Sequence, residues 1–345
     1  MWEYACAIYH KIDALFLHIS FSETPKFRID DKFYPIKLPL ENNELRDALL
    51  QYCKEVLFII HTAIREEMRA VNYYMEPPTI SEIKQEKTVK LKLCKGFKAI
   101  LGTFGGYKVA LLCEQDSYPR NQPEDTEDFI DILNNFFPKA KCVIALGIGY
   151  AFRKRNIQLG DVLVSKFIDG ICKVMEPDEN NSISFCREAT RFTPMSKDLI
   201  HIFTTDISNP FECTEQNRKS KIHKGTILSV SDDVMFKISM KLITWRSNYL
   251  IVKEDIEHLF DGKPAYIGGD SGFACMGLKL LMIKNKLITQ PRNLDVILIK
   301  GVASYANDSS CTDNTWKRTA ALSAAHYAKH ILERQDHHCK QYFSG

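Results

Sequence analysis

Residues 141–147, Lys-Cys-Val-Ile-Ala-Leu-Gly, constrain the fold more than any other part of the chain. The run is apolar without polar alternation, the pattern of a strand covered on both faces rather than one half in water. It leads directly into Gly147-Ile148-Gly149. Glycines directly after a buried strand let the backbone approach a ligand closely, at the carboxyl edge where such sheets bind small molecules. Runs of similar texture predict strands at 98–102, 108–113, 161–167, 225–230 and 295–300. Helical spacing marks 124–137, 232–241, 271–283 and 316–334. Short apolar runs alternating with helical patterns define the α/β class.

The upstream part differs. Residues 1–39 have no clear period. From 41 to 74, Leu45, Leu49, Tyr52, Val56, Ile59, Ile60, Ala63 and Ile64 fall mostly at steps of three and four. That spacing predicts one amphipathic helix, started by Asn42 or Asn43 and ended before Pro77-Pro78. Residues 77–87 read as a surface connection. The stretch 176–218, rich in Asn, Ser, Thr and Pro, is expected to form long loops of the kind that line sites.

Composition narrows the function classes. The net charge is +3 and the basic residues are scattered, so the concentrated positive field that nucleic acids need is missing. No apolar run is long enough to span a bilayer, and the first residues lack the pattern of a secretory leader. The 11 cysteines include no Cys-x-x-Cys pair, and several, such as Cys142 and Cys275, lie in apolar runs. That is how reduced, buried thiols behave in the cytoplasm, the expected location. His337-His338-Cys339 lies in a polar tail expected to be disordered, and adjacent side chains diverge too far to converge on a metal. Neither a metal nor a cofactor is expected. As a dinucleotide fingerprint Gly147-x-Gly149 fails, because Phe152 holds the third glycine position.

Five segments in order carry a more specific signal. After the Gly147–Gly149 turn come Gly160-Asp161-Val162-Leu163-Val164-Ser165 and Lys224-Gly225-Thr226-Ile227-Leu228-Ser229-Val230-Ser231-Asp232. Then follow Ala265-Tyr266-Ile267-Gly268-Gly269-Asp270-Ser271-Gly272, the run Ile299 to Asp308, and a closing helix containing Ala320, Ala321, Ala324, Ala325 and Ala328. In this order they resemble the nucleoside phosphorylase/nucleosidase superfamily, with its GDVVVS, GPILSGD, VDMEGAG and IKGISDYADG motifs. The resemblance runs from about Lys90 to the C-terminus. It implies a three-layer αβα sandwich with a mixed central sheet over 89–335; the helical spacing upstream makes 1–88 a partly helical extension, and 336–345 reads as a polar tail.

The resemblance also implies a chemistry, cleavage of the N-glycosidic bond of a purine nucleoside or nucleotide. In the family the SDYAD aspartate protonates the leaving base and the MEG glutamate holds the ribose hydroxyls. Here Ser304 stands at the acid position, and a serine proton is held too tightly for acid catalysis near neutral pH. Loss of a general acid typically costs about 100- to 10,000-fold in rate. Asp308 is a substitute acid or a turn cap. Asp270 stands at the glutamate position, one methylene shorter, with Gly268-Gly269 replacing Asp-Met; it either holds ribose or caps a following helix. Gly147, Gly149 and Asn307 complete the expected ligand contacts. Ile148 near the polar position of the turn, and the lack of a recognisable early phosphate loop, favour hydrolysis over phosphorolysis. The alternative is a pseudoenzyme of the same fold, acting as a ligand sensor or interaction module. The expected partner is a small-molecule nucleoside or nucleotide, with homo-oligomerisation open.

Overall fold

The computed structural model describes residues 17–21, 36–37, 43–79, 87–92, 98–113, 132–152, 156–174, 185–187, 193–194, 196–205, 210–230, 266–270, 294–305, 314–334 and 336–344. In chain order the elements are β1 (Leu17–Phe21), β2 (Ile36–Lys37), α1 (Asn43–Lys54), β3 (Phe58–Thr62), α2 (Arg65–Tyr74) and β4 (Lys87–Lys92). They continue as β5 (Lys98–Phe104), β6 (Tyr107–Cys113), β7 (Cys142–Ala151), β8 (Val162–Val174), β9 (Phe185–Arg187), β10 (Thr193–Pro194) and α3 (Lys197–Thr204). A small hairpin of β11 (Glu212–Cys213) and β12 (Arg218–Lys219) leads to β13 (Ile222–Val230), β14 (Tyr266–Asp270) and β15 (Asp295–Tyr305). The helices α4 (Asn314–Glu333) and α5 (His337–Ser344) close the chain.

All of these strands except the β11–β12 hairpin form one mixed sheet. Strands β6, β3, β7 and β15 run parallel in that order, and β5 and β4 add antiparallel on the far side of β6. At the other side the sheet closes on itself: β15 pairs with β8, β8 with β13, β13 with β14, and β14 back with β7. Five strands thus make a small barrel from which the rest of the sheet extends. A mixed sheet is what the sequence predicts; the closed circuit is not, because ring closure depends on register and shear rather than on local pattern.

Alternation along the strands divides the core. On one face Ile59, Val143, Ala145 and Leu298 pack with Leu49 and Tyr52 of α1 and with Ile132, Leu133 and Phe136. On the other, Phe58, Ile60, Cys142, Ile144, Leu146 and Ile299 pack with Met68 and Val71 of α2, Leu199 and Phe203 of α3, and the alanines of α4. Successive side chains of a strand point to opposite faces, so each buried run supplies both clusters. The alanines allow α4 to approach closely. Its Ala320 carbonyl lies so near Gly301 of β15 that a Cβ there would overlap it.

Three expectations change. The single helix over 41–74 is instead helix, strand, helix: α1, β3 and α2. Val56 to Ile60 is a continuous apolar run, and a fully buried strand of that length satisfies helical spacing by coincidence. Because β3 lies between β6 and β7, a boundary at 88/89 divides the strands of one sheet. The tail over 336–345 carries helix α5, started by Asp336 Oδ1 accepting from the Cys339 N–H at 2.8 Å, with Cys339 and Phe343 buried. The Cys339–Phe343 pair at i and i+4 makes one apolar face that the neighbouring histidines obscure. Within 176–218 the described residues include α3, which buries Leu199, Ile202 and Phe203, and the β11–β12 hairpin.

The predicted strands at 98–102, 108–113, 141–147, 161–167, 225–230 and 295–300 fall within β5, β6, β7, β8, β13 and β15, apart from the leading Lys141 and Asp161. The predicted helix at 316–334 is α4 to within a residue or two at each end. Residues 132–136 of the predicted 124–137 helix are helical. The helices predicted at 232–241 and 271–283 lie outside the described residues. Cys53, Cys113, Cys142, Cys213 and Cys339 are buried free thiols. Among the described residues, no helix is long and apolar enough to cross a membrane.

Candidate functional site

The carboxyl ends of β3 and β14 meet the Gly147–Gly149 stretch of β7 and the middle of β15, and chemistry gathers there. Gly147 and Gly149 lie on β7, with Lys300 of β15 as the Cα partner of Gly147. Gly149 is held tightly, since a Cβ there would lie 2.6 Å from the Gly269 carbonyl oxygen and 3.3 Å from Lys300 Cβ. Asp270 ends β14 and is 3% exposed. Its Oδ2 lies 3.4 Å from Nζ of Lys300, a side chain 1% exposed. Removing both charges from water costs several kcal/mol per ion, on the order that only close pairing offsets.

A second carboxylate completes the cluster. Glu67 stands in the first turn of α2, just after β3, and is buried. Its Oε2 accepts from the N–H groups of Ala63 at 2.7 Å and Ile64 at 3.1 Å, the half of a capping box in which the third helical residue reaches back. Its Oε1 accepts from the Ile148 N–H at 2.7 Å, in the middle of the glycine turn. A Cβ at Gly147 would overlap this carboxylate. Gly147 therefore serves a close approach, with the approaching group coming from Glu67 of the same chain.

Burial pushes the Glu67 carboxyl above the ordinary range, with Asp270 adding to the rise; Lys300 and the N–H groups of Ile148 and Ala63 oppose it. His61, at the end of β3, is buried and pushed down to about 3, first by burial and then by Lys300. The imidazole is therefore neutral at physiological pH. Lys300 thus influences His61, Glu67 and Asp270 together. Perturbed ionisable groups converging at a sheet edge are a physical mark of a functional site.

The Asp161 of Gly160-Asp161 does different work. It is buried and accepts from Arg218 Nη1 at 2.7 Å and from the N–H groups of Gln158 and Lys221, both at 3.0 Å, with His223 Nε2 at 2.9 Å. Burial raises its carboxyl, but the bonds from His223, Gln158, Lys221 and Arg218 outweigh that and hold it below the usual range. Ser165 Oγ accepts from the Leu298 N–H at 2.9 Å, joining β8 to β15. These residues close the barrel.

Of the residues singled out in the sequence, Gly147, Gly149 and Asp270 come together. Ser304 is half-buried near the end of β15, opposite Tyr150 of β7 beyond a bulge at Ala303. Asn307 and Asp308 lie outside the described residues. Sequence reasoning missed Glu67, His61, Lys300 and Tyr150. The helical assignment of 41–74 left Glu67 inside one long helix, and Lys300 entered only as part of the Ile299–Asp308 motif. An available signal was the sequence Arg65-Glu66-Glu67 directly after an apolar run, which marks a strand-to-helix junction with acidic residues in the first turn.

The closed five-strand barrel and the mixed sheet extending from it give the chain the nucleoside phosphorylase/nucleosidase fold. Among solved structures it is similar to the 5'-methylthioadenosine/S-adenosylhomocysteine nucleosidase of S. pneumoniae with a transition-state inhibitor. That match has a TM-score of 0.53 at 16% identity, over 81% of this chain and 100% of that one. The futalosine hydrolase of Helicobacter pylori superposes with a TM-score of 0.50 at 13% identity, over 81% and 98%. A methylthioadenosine/adenosylhomocysteine nucleosidase of Colwellia psychrerythraea in complex with adenine gives 0.50 at 14%, over 81% and 95%. No protein-family model and no curated protein sequence matches the chain. At such identities the likeness is one of fold.

Proposed function

We propose that this protein binds a purine nucleoside or nucleotide where the carboxyl ends of β3 and β14 meet Gly147–Gly149 of β7 and Lys300 of β15, and hydrolyses its N-glycosidic bond. The observation that carries the reading is the Glu67 carboxylate, buried against Gly147 and Ile148 in a cluster with Lys300 and Asp270. The fold neighbours that bind purine compounds support the ligand class. The two packed faces of the sheet support the finer three-layer αβα arrangement.

In this reading Glu67 takes a proton from water, whose oxygen forms the new bond to the anomeric carbon as the bond to the base nitrogen breaks. A carboxylate whose hold on a proton is strengthened by burial is a better base than an ordinary one. Asp270, fixed by Lys300, faces the ribose hydroxyls and the positive charge that develops on the sugar. Asn307 and Asp308 address the base, and the proton it needs comes from Asp308 or solvent, because the Ser304 hydroxyl donates a hydrogen bond but not a proton.

The second reading, a pseudoenzyme that binds without turnover, is favoured by one residue, Ser304 at the acid position. Product analysis with adenosine, methylthioadenosine, inosine and adenine nucleotides separates the two. Release of free base by the wild type, abolished in Glu67→Gln and Asp270→Ala, is the expected result. An inert wild type that gains turnover in Ser304→Asp establishes the pseudoenzyme instead. Failure of any variant to bind a purine compound sinks both.

A further inference from the structure

Tyr150 is paired with two strands at once: its Cα partners are Gly269 on β14 and Ser304 on β15. Directly paired residues of an antiparallel ladder present their side chains on one face. Gly269 has none, and a Cβ there would overlap Tyr150 Oη and Cζ. The phenol therefore leans across the ladder and covers the Gly269 backbone, occupying the volume that a side chain at 269 would take. The superfamily motif that this segment resembles has Asp-Met where this chain has Gly268-Gly269; here the bulk comes from β7. Tyr150 is half-buried, and its ring meets Phe152 edge-on with centroids 6.0 Å apart. Burial, and then the charge of Asp270, keep the phenol neutral, so it remains a hydrogen-bond donor.

We infer that Tyr150 is the aromatic floor of the ligand site and determines which ligands fit it. A partly exposed tyrosine near Asp270 and Ser304 offers an aromatic surface to a purine or to the face of its ribose. Such pairing of one aromatic surface with a few polar groups is how small-molecule sites obtain both affinity and orientation. The inference rests on the purine-site reading above.

The test is calorimetric titration of the full chain with adenosine and with adenine, each variant also melted to check folding. Loss of the ring in Tyr150→Ala should weaken adenosine binding by about 10-fold or more, whereas Tyr150→Phe stays within about 3-fold, as expected for stacking-dominated binding. Gly269→Met alone should lower the melting temperature, and Tyr150→Ala/Gly269→Met should restore part of the loss, because a Cβ at 269 also lies 2.8 Å from the Leu228 carbonyl oxygen. Where Tyr150→Ala does not melt cooperatively, Tyr150→Leu retains packing on Gly269 and should show the same loss of binding. Adenosine binding unchanged or tighter in the folded ring-less variant overturns the floor and leaves the purine site standing. Well-folded wild type that binds neither adenosine nor adenine overturns the purine reading, and the floor with it.

Discussion

Lys300 and Asp270 form an ion pair in the interior, Nζ to Oδ2 at 3.4 Å, with side chains 1% and 3% exposed. The lysine also influences Glu67 and His61, so its charge is shared by two carboxylates. Lys300→Met leaves both without their cation, while Asp270→Asn removes one partner and leaves Glu67. Breaking a buried pair costs about 3–5 kcal/mol, and Lys300→Met should lie at the upper end with Asp270→Asn below it. Urea unfolding of the two variants gives the order, and Asp270→Asn proving the costlier change would show that the lysine serves Asp270 alone.

Glu67→Gln tests the second carboxylate. An amide cannot accept on both of its terminal atoms, so an N–H among Ala63, Ile64 and Ile148 would face another donor. Leaving a buried donor unsatisfied costs about 1–3 kcal/mol. Base release should fall by about 100-fold or more if the group acts as a base. A variant as stable and as active as the wild type would remove Glu67 from both roles.

The pH dependence of stability should carry the signature of His61. Its folded pKa, about 3, lies below the ordinary 6.5, so the unfolded chain binds the proton that the folded one refuses. The contribution of neutral His61 is complete above about pH 6.5 and is lost as pH falls from there towards 3. Urea midpoints at pH 7.5, 6.0 and 5.0 should fall more steeply for the wild type than for His61→Phe. Parallel slopes would mean that the histidine is not the titrating group.

Glycine positions in the site are set by contact. Gly301→Ala drives a methyl into the Ala320 carbonyl of α4, and Gly147→Ala drives one into the Glu67 carboxylate. Overpacking of a closed core costs about 1–3 kcal/mol, and more where the obstacle is backbone. Thermal melts should therefore show the larger loss for Gly301→Ala. Gly147→Ala should lose base release disproportionately, because the side chain it displaces is Glu67. Equal losses of stability with intact activity would contradict this assignment.

What could be read from the chain before folding was whatever depends on near neighbours. Residues 142–147, 162–167 and 225–230 are strands because their side chains are apolar and β-branched, and α4 is a helix because its alanines recur on one face. The order of the five motifs was enough for the fold class. The same local reading failed at residues 56–60, where a buried strand and a helical stripe have the same composition, and at Cys339 and Phe343, where histidines hide a short apolar face.

The site lay mostly beyond that range. Glu67 meets Ile148 across 81 residues, and Lys300 becomes a buried cation only because β15 is enclosed by β7, β8 and α4. Tyr150 covers Gly269 only because the barrel closes between β14 and β7. Sequence alone determined six strands, β5, β6, β7, β8, β13 and β15, and where glycines permit close approach. Tertiary structure decided which charges lose their water and which partners they meet, because desolvation and pairing depend on chain segments that are neighbours only in space.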